Sequence, residues 1–342
     1  MSLPKLLGFT GLVVFSLIFG IAFFKGGKKG GEPTQPLSEL KGEKTKKAPV
    51  EIALTAEVPT PVPTPTPLPV PSPAPKPDPV VVKKSEPVKA LPEADRIEDL
   101  FQKGKSPLKF VETITYKSRV PWLKGRPAWL SDYAAHYETS RHYIARSLNS
   151  KPDYFKQDIA EGDKINVLKK GVDLKFLLVV DTSLCKLWLY AIDDTHKETT
   201  LLKTYPVSLG RIDTSKPSGY LTPTGRYSLG SRIAIYKPKV MGYYKGKKIE
   251  MVKEFGSRWI PFDKEIAEAS APAKGYGIHG VPWVEKTKGT LTQDKSSLGK
   301  YESDGCIRLS TEDIEEIFAI IITKPSEIEI VSHFEDASIH KR

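Results

Sequence analysis

LKFLLVVDTSLCKLWLY, residues 174–190, holds two strand signals back to back. Phe176 to Val180 is a continuous apolar run suited to a buried strand. Leu184 to Tyr190 alternates, with Cys185, Leu187 and Leu189 on one face and Lys186, Trp188 and Tyr190 on the other, so Cys185 reads as core. Further on, Leu201 to Leu209 repeats the strand signal, Thr222-Pro223-Thr224-Gly225 reads as a turn, and Arg226 to Leu229 as extended chain. Tyr243 to Val252 has the pattern of a hairpin turning at Gly246. One helix is expected in this half: Ser310 caps it, Asp313 stands at the capping-box position, and Ile314, Ile317, Phe318 and Ile321 recur at helical spacing before Pro325. Glu327 to Val331 closes with a strand. The C-terminal part is therefore mainly β, roughly 160 residues, enough for a core of its own.

Towards the N-terminus, folded sequence is expected to begin near Lys109, where Phe110, Tyr116, Trp122 and Trp129 bring aromatics back. Leu130, Ala134 and Tyr137 share one helical face, and a second helix from Ser140 groups Tyr143, Ile144 and Leu148. Asp158 to Leu168 adds a Gly-containing turn and a short strand. Earlier still the chain changes character. Of 29 prolines, 11 lie at alternate positions from Pro59 to Pro79, where no run of N–H groups exists to build helix or sheet. As polyproline II this run would span ~65 Å. Gly26 to Lys89 is polar and proline-rich, with too little apolar surface to offset ordering entropy. Leu6 to Phe24 carries no charge over 19 residues and is long enough to cross a bilayer. The expected organisation is a cytoplasmic N-terminus at 1–5, a transmembrane anchor at 6–24, a Pro-rich disordered spacer at 25–108, a small module at 109–168 and a main domain at 174–334.

The chain has 342 residues, and 52 Lys and Arg against 41 Asp and Glu leave a net charge of +11, which suits polyanionic surroundings. Two cysteines, with no Cys-x-x-Cys pair, exclude a disulfide-rich scaffold and a zinc module of that type. Cys306 differs from Cys185 in its setting, Glu302-Ser303-Asp304-Gly305-Cys306-Ile307-Arg308-Leu309. A nucleophilic thiol needs thiolate character, which an imidazole, a cation or a helix N-terminus supplies by lowering its pKa. His279 in Gly277-Ile278-His279-Gly280, Arg308 and the Ser310-capped helix are candidates for all three. Gly305 lets backbone approach a substrate closely, so the amides of Gly305 and Cys306 are expected to face an oxyanion.

Gly-Ile-His-Gly, Ser-x-Gly-Cys-Ile-Arg-Leu, Thr-Pro-Thr-Gly-x-Tyr at 222–227 and Val-Ser-Leu-Gly at 207–210 together resemble the L,D-transpeptidase catalytic domain over Leu174 to Phe334. The resemblance implies a β-sandwich-like fold, Cys306 as nucleophile, His279 as general base, Gly280 as the carbonyl that orients the imidazole, and Arg308, Ser303 and Asp304 at the substrate. It implies peptidoglycan stem peptides as substrate and inhibition by carbapenem-type drugs, with an L,D-carboxypeptidase or a weakly active peptidoglycan-binding tether as alternatives. No metal, organic cofactor or nucleic acid is expected. Asp304 stands where the family most often has histidine, Val281 replaces a common threonine, and Val284 to Lys300 lengthens the interval between His279 and Cys306 into a possible lid. The strand, helix, helix, strand order of 109–168, with Ala134, Ala135, Tyr137, Asn149, Ile159, Gly162, Asp163, Ile165 and Val167, resembles a lysin motif, which implies contact with glycan strands. Peptidoglycan chemistry places the domain outside the cytoplasmic membrane, in the periplasm or its equivalent, against the vote of Lys25, Lys28 and Lys29.

Overall fold

The computed structural model describes residues 90–154 and 156–341, all within one compact unit. The expected anchor at 6–24, residues 1–5 and the spacer as far as residue 89 lie outside the described residues. Among the described residues no helix is long and apolar enough to cross a membrane.

The chain packs earlier than Lys109. Helix α1 (Glu98–Phe101) brings Leu100 into the main core with Ile97 and Leu108, and the Trp188 indole donates to the Pro92 carbonyl at 2.8 Å. The expected spacer as far as residue 108 is thereby corrected: from Leu91 onward the chain packs against the domain. These few apolar residues show no periodicity of their own, because they fill grooves in a surface made elsewhere.

The next segment has the expected order: β1 (Val111–Thr115), α2 (Leu130–His136), α3 (Arg141–Asn149) and β2 (Lys164–Leu168), with β1 and β2 antiparallel. The remaining elements are β3 (Leu174–Asp181), β4 (Lys186–Asp193), β5 (Glu198–Pro206), β6 (Leu209–Gly210), β7 (Gly225–Leu229), β8 (Ala234–Ile235), the hairpin β9 (Met241–Tyr244) and β10 (Lys247–Glu250), α4 (Val252–Phe255), β11 (Arg258–Ala267), β12 (Gly277–Gly280), a second hairpin β13 (Trp283–Thr287) and β14 (Thr290–Gln293), β15 (Tyr301–Ser303), β16 (Ile307–Leu309), α5 (Thr311–Ile321) and β17 (Ser326–Val331). The fold is mainly β. Its nine-stranded sheet runs β16-β12-β11-β7-β17-β3-β4-β5, with β8 on β11. Two register shifts between β11 and β7 are bulges, which bend a strand and help the sheet curl.

Both faces of the central strands are covered, which is why Phe176 to Val180 lacks alternation. Phe176, Leu178 and Val180 share a core with Ile314, Ile317 and Phe318 of α5, whereas Leu177 and Val179 pack with Trp188 and Phe334 on the opposite side. The α5 stripe is fully buried, and each such side chain contributes about 1.5–3 kcal/mol of transfer free energy. Its cap is as the sequence suggests: Ser310 Oγ accepts from the Asp313 amide at 3.1 Å.

The 109–168 segment does not stand apart. Tyr143 of α3 lies in the same core as α5, while its neighbour Ile144 serves the module's own cluster. Ser140 Oγ caps α3 and donates to the Ala319 carbonyl of α5 at 2.9 Å. Arg258 of β11, 1% exposed, pairs with Asp153 at 2.5 Å. A buried ion pair is costly to break from one side, since the remaining charge is stranded. The expected module at 109–168 and main domain at 174–334 thus share a core across their seam.

Candidate active site

Cys306 precedes β16 at one edge of the sheet, and His279 lies in β12 beside it. The two strands are parallel, with Ile278 opposite Ile307, His279 opposite Arg308 and Gly280 opposite Leu309. One step back along this register, Cys306 meets Gly277, whose amide lowers the thiol's pKa through a hydrogen bond. Residues two apart share a face of a strand, so Gly277 and His279, and with them Cys306, face the same side. The thiol is partly exposed and also lies 3.9 Å from the Gly275 carbonyl.

His279 is 3% exposed and held by its neighbours. Its Nδ1 donates to the Gly280 carbonyl at 2.8 Å, and because a carbonyl only accepts, this contact places the proton on Nδ1 and leaves Nε2 with the lone pair. Phe255 and Trp259 flank the ring at 5.3 and 5.9 Å between centroids. Burial, then the charge of Arg308, push the imidazole down to about 3. Burial pushes the Cys306 thiol up to about 11, against the Gly277 amide and Arg308, which lower it. The sequence-based expectation of a lowered thiol pKa is thus reversed in the free protein: desolvation outweighs the cation. Both shifts favour the uncharged forms of thiol and imidazole in the free protein.

The loop's shape comes from residues inside it and from one far away. Ser303 is fully buried; its Oγ donates to the Cys306 carbonyl at 2.6 Å and accepts from the Gly305 amide at 3.1 Å. Ser303 therefore braces the loop rather than meeting substrate, and of the two amides expected to face an oxyanion, Gly305 is already engaged. Gly305 has φ 117, and an added Cβ would lie 2.8 Å from both the Leu221 carbonyl and the Tyr276 ring. Thr222, fully buried, is the residue that local sequence reasoning left without a role: its hydroxyl donates to the Gly305 carbonyl at 3.0 Å and accepts from the Gly210 amide at 2.7 Å. Its signal was the Thr-Pro-Thr-Gly motif itself, which ties two other motifs together. Arg308 donates from Nη1 to the Glu302 carbonyl at 3.4 Å, and its backbone pairs with Ser208.

Asp304 pairs with Arg211 at 2.5 Å and Lys245 at 2.7 Å, and these hydrogen bonds, Lys245 first, hold its carboxyl below the usual range. Val284 to Lys300 is not a loose loop. It forms most of the β13–β14 hairpin, anchored where the Trp283 indole donates to Thr311 at 3.1 Å and where the Thr311 amide donates to Gln293 at 2.8 Å. Cys185 and Cys306 are both free. Among the described residues no cluster of His, Cys, Asp and Glu suits a metal ion.

Residues 175–330 match the YkuD family model, described as the L,D-transpeptidase catalytic domain. The YkuD protein of Bacillus licheniformis, named as an L,D-transpeptidase, is 26% identical over 194 residues, which is 56% of this chain and 87% of that protein. YqjB of Bacillus subtilis, named likewise, is 31% identical over 120 residues, 34% of this chain and 53% of its own length. Among solved structures, the helical cell shape determining protein Pgp2 of Campylobacter jejuni overlaps at a TM-score of 0.31 and 16% identity, covering 47% of this chain and 49% of that one. That overlap is too slight to carry an argument. The sheet-edge pairing of His279 with the Cys306 loop lies inside residues 175–330, and that stretch carries the match to the YkuD L,D-transpeptidase catalytic domain.

Proposed function

We propose that the protein is an L,D-transpeptidase that cross-links peptidoglycan through a Cys306 acyl-enzyme. The observation that carries this reading is the shared face of Cys306 and His279, with Nδ1–H committed to Gly280 so that Nε2 is the free base. With the thiol near 11 and the imidazole near 3, a standing thiolate is rare. Proton transfer to His279 accompanies attack, as general-base catalysis requires. Cys306 Sγ bonds to the carbonyl carbon of the stem's diamino acid, its proton passes to Nε2, and the C–N bond to the terminal D-Ala breaks as His279 returns the proton to the leaving amine. The amine of a second stem then attacks the thioester, loses a proton to His279, and Cys306 leaves as thiol. The Cys306 amide is the remaining expected donor to the oxyanion. Arg308, beside the thiol and imidazole, suits a substrate carboxylate. The chain's apolar 6–24 segment and proline spacer support an anchored enzyme working in the periplasm or its equivalent, and the lysin-motif-like segment supports contact with glycan strands.

Intact mass decides the central step. A stem tetrapeptide, or a carbapenem, is expected to add one acyl mass to the native chain and none to Cys306→Ala. Cross-linked product identifies a transpeptidase, and hydrolysed tripeptide alone identifies an L,D-carboxypeptidase. No adduct on the native chain would overturn the reading.

A further inference from the structure

The β9–β10 hairpin belongs to no larger sheet among the described residues, since its two strands pair only with each other. Such a hairpin is marginal unless something holds it. Its inner side is held by aromatics: Tyr244 meets Phe255 edge-on at 5.0 Å, and Phe255 meets the His279 ring at 5.3 Å. Its tip is a two-residue turn, Lys245 at φ 48 and Gly246 at φ 75. Asn, Asp or Gly usually occupies both places in such a turn, because other side chains resist a positive φ. A lysine in this strained place is accounted for by its contact: Nζ reaches Asp304 at 2.7 Å, two residues before Cys306. The other oxygen of Asp304 takes Arg211, just after β6, at 2.5 Å. The hairpin thus touches both members of the catalytic pair, His279 through Phe255 and the Cys306 loop through Asp304.

We propose that Asp304 is a positioning residue that clasps Lys245 of the hairpin tip and Arg211 to the Cys306 loop, so that the hairpin forms a fixed wall of the stem-peptide cleft. The proposal rests on the transpeptidase reading above for its substrate. A single exposed ion pair holds little, but here one carboxylate joins three separate segments. Asp304 does not serve by ionising the thiol, because a carboxylate near a thiol disfavours the thiolate. The outer side of the hairpin presents Met241 and Tyr243, 50% and 77% exposed, as apolar surface that moves with the wall.

The test compares the full chain with Asp304→Asn, Lys245→Gln, Lys245→Arg and the Asp304→Asn/Lys245→Gln pair. Acylation by a stem tetrapeptide ending in D-Ala is expected to slow about 10- to 100-fold in each single neutral variant, chiefly in the rate at saturation, as misplacement of a binding wall predicts. The double variant should be no slower than the singles, and Lys245→Arg should restore most of the rate. Alkylation of Cys306 by iodoacetamide should not slow in Asp304→Asn, which separates positioning from nucleophile ionisation. Amide hydrogen exchange across 241–250 should quicken in both single variants. Additive losses, a wild-type rate in Lys245→Gln, or unchanged exchange would each overturn the clasp. Should the native chain resist acylation by the peptide, the functional reading fails, while the exchange measurement still decides the clasp.

Discussion

The two cysteines of this chain carry the same chemistry in opposite settings. Cys185 sits at φ 51 in the turn before β4, 2% exposed and packed with Leu187, Leu189 and Val207. Cys306 sits in a loop whose preceding glycine approaches two other segments, partly open to solvent and on the same face as His279. Burial pushes both thiols up. A lowered resting pKa therefore does not set Cys306 apart; access and a neighbouring histidine do. Cys185 has neither; its side-chain hydrogen-bond partner is the Tyr301 hydroxyl, which also donates to the Thr182 and Ser183 carbonyls.

That contrast breaks most sharply at the base. His279→Ala should lower acylation of Cys306 by on the order of 10² to 10⁴ while leaving the Cys185 surroundings intact; single-turnover mass spectrometry reads it, and a native rate in the variant would mean that Cys306 needs no more help than Cys185. Next comes labelling. A small alkylating reagent should modify Cys306 about 100-fold faster than Cys185, because the latter must await an opening of the core, and denaturant should erase the difference. The Cys306 rate should climb about tenfold per pH unit below the thiol's midpoint near 11. Comparable native labelling of both residues, or a plateau by pH 8, would collapse the distinction.

Stability gives two smaller tests. Neutral, buried His279 titrates near 3 when folded and about 6.5 when unfolded, so the unfolded chain binds the extra proton first. Its share of stability is complete above about pH 6.5 and is lost as pH falls towards 3, at up to about 1.4 kcal/mol per pH unit. Denaturant titrations from pH 7 to 4 should show a shallower loss in His279→Gln; identical slopes would remove the buried-imidazole account. The least effect belongs to Cys185→Ala, which should cost about 1 kcal/mol of stability through a small cavity and leave Cys306 acylation unchanged. A fall in acylation there would tie the two cysteines together functionally.

Periodicity and short motifs carried a long way. The buried run from Phe176 to Val180, the capped stripe of Ile314, Ile317, Phe318 and Ile321, and the hairpin turning at Gly246 are local patterns, and local patterns survive folding because the backbone's period is set by its own geometry. Motif order likewise brought His279, Gly280, Gly305 and Cys306 forward together. The early packing of Ile97 and Leu100 escaped notice because neither residue belongs to a periodic run. Tyr143 looked like a member of a separate module because nothing local tells which of two cores a helix face will enter. The buried role of Ser303 was hidden because a serine two residues before a glycine suits a brace and a substrate contact equally.

By itself, then, the sequence determined a mainly β domain with a cysteine and a histidine fit for acyl transfer, since those features depend on residue type and near-neighbour spacing. Tertiary structure alone decided the protonation balance of the pair, because desolvation is a property of the surroundings and not of the residue. It alone decided that Thr222 ties Gly210 to Gly305 and that Asp304 meets Arg211 and Lys245, residues 93 and 59 positions away. Contacts at such separations arise only when the sheet edge, the loop and the hairpin are brought together by the core they share.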